Sequence, residues 1–93
     1  MGALVQIDGR KAFLRQGSWI SANRELEARL NRATETWIQE TGGPAVSDSD
    51  PERTVARTMV KRFGGRLLIH VRGNPSESRR VYLSRRQMRL PYL

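Results

Sequence analysis

Ninety-three residues with a 38% hydrophobic fraction, two Trp, two Tyr and two Phe make one small folded domain and argue against wholesale disorder. The absence of Cys and the single His leave no disulfide, no thiolate chemistry and no recognisable metal-ligand set, and no cofactor is expected. A net charge of +8 points to an anionic partner, and no run of about eighteen apolar residues exists to cross a membrane.

The amino end, MGALVQIDGRK, lacks the basic-then-apolar order of a secretory signal, and Gln6 breaks the myristoylation pattern, so a cytoplasmic protein is expected. The stretch ALVQIDGRKAFLR reads as a β-hairpin. Asp8-Gly9 tolerates the positive φ angles of a two-residue turn, which would pair Ile7 with Arg10, Val5 with Ala12 and Ala3 with Leu14. QGSWIS reads as a connector, with Ser21 as the cap of a helix over 22–41. In that helix Leu26, Leu30, Ala33 and Trp37 form one apolar stripe, and Trp19 and Trp37 would close opposite ends of the core.

Residues 42–50, GGPAVSDSD, are an internal linker between two helices. The next segment, DPERTVARTMVKRFGG, carries complete helix punctuation. Asp50 caps, Pro51 suits the first position, Glu52 favours the positive end, and Gly64 supplies the left-handed stop after Phe63. Val55, Met59 and Phe63 form its apolar stripe, and Arg53, Arg57 and Lys61 repeat at the same spacing as a row of positive charge. RLLIHVR then alternates as a strand, with Leu67, Ile69 and Val71 on one face and Leu68, His70 and Arg72 on the other. GNPSES is turn chemistry, and RRVYLS alternates again, with Val81 and Leu83 inward and Arg80 and Tyr82 outward. Residues 85–93 are a basic and apolar tail.

The expected architecture is therefore a single α+β domain over residues 1–93, in the order β-β-α-α-β-β. Two hairpins form an antiparallel sheet, and two helices cover one face. Charge is unevenly spread along it. Residues 1–50 hold six bases against seven acids, whereas residues 51–93 hold eleven bases against only Glu52 and Glu77. Fifteen of the seventeen bases are Arg, whose forked donors suit phosphate.

These features lead to the expectation of a nucleic-acid-binding protein, RNA before DNA, that acts without catalysis. Its clamps would be Arg53, Arg57, Lys61, Arg62, Arg72, Arg79, Arg80, Arg85, Arg86 and Arg89, with Tyr82 and His70 as base-stacking groups. An alternative is a regulatory or inhibitory module docking its arginines on an acidic protein. The apolar Met88, Leu90, Pro91, Tyr92 and Leu93 would either fold back onto the core or anchor a partner or a second copy of the chain as a homodimer. A third reading is a metal-free ribonuclease. If residue 72 pairs with 80, His70 faces Tyr82 and Arg72 faces Arg80, a cluster able to activate the RNA 2′-hydroxyl; if 72 pairs with 79, His70 faces Val81 and the cluster loosens. In element order, helices followed by strands and a basic end, the chain resembles the small bacterial RelE-type toxins, which implies such a ribonuclease. It departs from them by opening with a hairpin where they usually have one strand.

Overall fold

The computed structural model describes residues 2–73, 76–77 and 80–82. Three strands come first: β1 (Gly2–Ile7), β2 (Arg10–Arg15) and β3 (Ser18–Ile20). Helices α1 (Arg24–Thr41) and α2 (Pro51–Phe63) follow, and then β4 (Arg66–Val71). The sheet is antiparallel throughout, in the order β3-β2-β1-β4. The α+β class, the antiparallel sheet and the two helices are as the sequence implies.

The first hairpin has the expected register of Ile7 with Arg10, Val5 with Ala12 and Ala3 with Leu14. Its turn residues Asp8 and Gly9 have φ of 52° and 73°, the left-handed pair that matches strand twist. A second turn of the same kind follows at once. Gln16 and Gly17, at φ of 51° and 78°, fold QGSWIS back so that Leu14 pairs with Trp19. The expected connector is thus the edge strand β3. Its edge is closed by α1: the Asn31 carboxamide accepts from Trp19 N–H at 2.8 Å and donates to Trp19 C=O at 3.0 Å. A side-chain amide thereby takes the place of a fifth strand.

Ala3, Val5, Ile7, Ala12, Leu14 and Trp19 point to one sheet face and are buried under the helices. Helix α1 is capped by Asn23, not Ser21, and buries Leu26, Leu30, Thr34 and Ile38. The stripe expected through Ala33 and Trp37 is rotated by one residue in its second half, leaving those two only partly buried. Thr34 can occupy the core because its hydroxyl accepts from the Trp19 indole N–H at 2.8 Å. Helix α2 has the expected bounds, with Asp50 as cap and Gly64 in the left-handed stop, and buries Val55, Ala56 and Met59.

The expected second hairpin does not form. Strand β4 pairs with β1 instead, with a bulge at Leu68 between the pairs Leu4–Ile69 and Val5–Leu67. The extra residue shifts the alternation by one, so Leu67 and His70 face the helices while Ile69 and Val71 face out. Arg80, Val81 and Tyr82, expected in a strand, are helical. Six residues of alternation are too few to separate a strand from a helix, and burial of Tyr82 in the core with α2 decides between them.

Candidate nucleic-acid interface

At α2 the local rules and the charge pattern coincide. Asp50 Oδ1 accepts the Arg53 N–H, and Pro51 at the first position forfeits no helix bond. With α2 phased by its buried Val55, Ala56 and Met59, the 3.6-residue period turns Arg53, Arg57 and Lys61 into solvent along the opposite side. The helix ends where Gly65 N–H bonds to Val60 C=O at 2.9 Å, across Gly64 at φ 77°. Gly65 then passes so close to β1 that a Cβ there would stand 2.3 Å from the Gln6 carbonyl oxygen. That approach brings Arg66, at the start of β4, beside the end of the cationic row.

The result is an open groove of about 880 Å³ lined by Arg53, Arg57, Thr58, Lys61, the Gly64-Gly65 turn and Arg66. Among the described residues no carboxylate lines it. Neither the pair of Arg24 with Glu27 nor that of His70 with Asp50 involves any of its four cations. The guanidinium of Arg66 is held by two bonds to Gln6 Oε1, at 3.0 and 3.1 Å, which orient it without neutralising it. From Arg53 to Lys61 the row spans roughly 12 Å at 1.5 Å per residue. That length covers about three to four phosphate intervals of one strand, measured along the axis of a duplex.

A smaller basic recess of about 270 Å³ lies between the helices, lined by Arg29, Arg32, Arg62 and Phe63. The Arg29 guanidinium sits 5.3 Å above the Phe63 ring, a cation–π contact that leaves its charge exposed. Arg29, Arg32 and Arg66 are not among the clamps that the sequence suggests. The first two fall in the electrically neutral half, and only the packing of α1 on α2 brings them beside Arg62.

The expected aromatic platform is absent. Tyr82 is 2% exposed, and its hydroxyl donates to Glu52 Oε2 at 3.2 Å, so it cannot stack on a base. Its acceptor Glu52 is itself buried and also takes the Gly17 N–H at 3.3 Å. Burial raises the Glu52 pKa above the usual 4.5, against the opposing pull of the Tyr82 and Gly17 hydrogen bonds. His70 faces the helix layer, with Nε2 3.0 Å from Asp50 Oδ2 but no aligned hydrogen bond to that nitrogen. The expected meeting of His70 with Tyr82 on an outward face therefore does not occur.

Arg72 is exposed and donates to the Ser49 carbonyl at 3.3 Å, tying the end of β4 to the 42–50 linker, and Arg80 is exposed. Arg79, Arg85, Arg86, Arg89 and the apolar tail expected to support dimerisation lie outside the described residues. Among the described residues no helix is long and apolar enough to cross a membrane, and no group of three or more His, Cys, Asp or Glu is placed to hold a metal ion. No protein-family model matches this chain, and comparison with curated proteins and with solved structures found no match.

Proposed function

We propose that this protein binds nucleic acid through the phosphate backbone, in the cytoplasm, with the α2–β4 groove as its principal contact. The observation that carries the reading is the convergence of Arg53, Arg57, Lys61 and Arg66 on one open groove with no carboxylate among the described residues of its lining. Three of these cations, Arg53, Arg57 and Lys61, recur at a regular helical spacing, which favours a polymer of regularly spaced charge over a compact anion. With Tyr82 and His70 turned inward, nothing in the groove favours stacked bases, so the reading extends to RNA and DNA alike. It is a reading of binding and requires no acid–base pair.

The test is titration of mixed-sequence RNA and DNA oligonucleotides, single- and double-stranded, with the full chain across roughly 50 to 500 mM salt. A log–log line of affinity against salt is expected. The triple variant Arg53→Ala, Arg57→Ala, Lys61→Ala should flatten its slope by roughly two to three, since each phosphate left without its cation removes about 0.7–0.9. Arg24→Ala, on the exposed Arg24–Glu27 pair, should leave the slope unchanged. No binding at the lowest salt, or an unaltered slope in the triple variant, would refute the proposal.

A further inference from the structure

The helices cover one face of the sheet, and among the described residues nothing packs over the opposite face, where Ile20, Ile69 and Val71 are exposed. Register places Ile20, Phe13, Leu4 and Ile69 side by side on it as cross-strand partners, one from each strand. Ile20 is 58% exposed, Ile69 57%, Val71 51% and Phe13 36%. Gly2 lies directly beneath the Phe13 ring, since a Cβ there would meet its Cζ at 2.9 Å. The end of the ring therefore reaches over Gly2 of β1, the cross-strand partner of Val71. A contiguous row of large apolar side chains, exposed at Ile20, Phe13 and Ile69 and half-buried at Leu4, marks an interaction surface.

Its borders are cationic. On β2, Lys11 and Arg15 stand two residues to either side of Phe13, and no acidic residue occupies an outward position on any of the four strands. Along the strand those two cations are roughly 13 Å apart at 3.3 Å per residue, just wider than the 10–12 Å diameter of a helix. Across the strands the row spans roughly 14 Å, about two and a half helical turns.

We propose that this face docks an acidic amphipathic helix of a partner protein, its apolar stripe on the Ile20–Phe13–Leu4–Ile69 row and its flanking carboxylates on Lys11 and Arg15. Charge selects this occupant. A second copy of the face would oppose like charges, and the chain's own residues 83–93 bring Arg85, Arg86 and Arg89 without a single acid. Nucleic acid fits poorly, because one aromatic ring among aliphatic side chains makes a weak stacking surface.

The probe is a synthetic helical peptide of about five turns, with leucines at i, i+3, i+4 and i+7 and glutamates along both flanks. Its counterpart carries lysines on the flanks. Backbone amide spectra of the isotopically labelled full chain, at about 150 mM salt, should move at Leu4, Phe13, Ile20 and Ile69 with the glutamate peptide. Phe13→Ser with Ile69→Ser should weaken binding at least tenfold. Lys11→Glu with Arg15→Glu, two solvent-facing sites, should exchange the preference for the lysine peptide. Four results would overturn the proposal: equal binding of both peptides, shifts confined to the α2 groove, an oligonucleotide moving Phe13 and Ile69, or self-association abolished by Ile69→Ser. The phosphate-binding test uses other residues, so either reading can fail without the other.

Discussion

Removing the carboxylate of Glu52 should damage the fold by disconnecting three separated parts of the chain. Its two oxygens take the Gly17 N–H from the β2–β3 turn and the Tyr82 hydroxyl from the helical residues beyond β4, while its backbone begins α2. Glu52→Ala leaves both donors buried, at about 1–3 kcal/mol each, so a loss of about 3 kcal/mol is expected after relief of the carboxylate's own desolvation. A domain of this size has a total stability of about 5–14 kcal/mol, and each kcal/mol shifts Tm by about 4–8 °C. Thermal unfolding followed by circular dichroism should therefore show a fall of about 12–24 °C. Glu52→Gln keeps an acceptor for Gly17 and offers a donor to the Tyr82 oxygen, so it should stay near wild type.

The pH dependence fixes the sign. Burial raises the folded-state pKa of Glu52 above its ordinary 4.5, so its protonated form is the one favoured by folding. That contribution is complete below pH 4.5 and declines as pH rises through the folded value. The stability of wild type relative to Glu52→Gln should thus decrease from pH 4.5 toward neutrality. A wild-type advantage that grows with pH would refute the account. So would a double-mutant cycle in which Glu52→Ala and Tyr82→Phe are strictly additive, because residues sharing a hydrogen bond must couple.

Two further substitutions probe the sheet. Asn31→Ala should strip both partners from Trp19 and reopen the β3 edge, costing about 2 kcal/mol in chemical denaturation and raising light scattering on mild heating. Gly65→Ala drives a Cβ into the Gln6 carbonyl at 2.3 Å and should part β4 from β1, with loss of amide-exchange protection along both strands. Gly9→Ala, whose Cβ would meet nothing within 4 Å, should cost only the left-handed backbone penalty, about 1 kcal/mol, and leave that protection in place.

What was legible in the sequence was what short-range chemistry encodes. Asp8-Gly9 specified a turn type and with it a register, and the Asp50 to Gly64 segment carried cap, charge bias, apolar stripe and stop together. Arg53, Arg57 and Lys61 inherited their common face from that helix. Gln16-Gly17 gives a weak signal because a positive φ at Gln is uncommon and the strand beyond it is only three residues long. The far end of the chain departs from expectation for a different cause. Alternation in RRVYLS is satisfied locally by a strand, but Tyr82 gains a buried acceptor thirty residues away in Glu52, a gain that no local pattern records. The bulge at Leu68 reversed the facing of every later residue of β4, which is why His70 lies on the opposite side of the sheet from the one its spacing implies. Arg66 joined the groove only through the close approach at Gly65, again a matter of backbone clearance between distant segments.

The sheet order has a consequence for how the chain assembles. The strand made first, β1, ends in the middle of the sheet, with β2 joined on one side by a two-residue turn and β4 on the other, sixty residues later at Gln6 and Arg66. During synthesis the β1–β2–β3 meander can close as soon as it emerges, but β1 keeps one bare row of peptide groups until the last strand arrives. A nascent chain halted within α2 thus exposes a sticky strand that the finished protein hides, and closing so long a loop is slow. The helical α1–α2 segment between the two strands is what shortens that exposure, since each preformed helix carries β4 closer to the waiting edge.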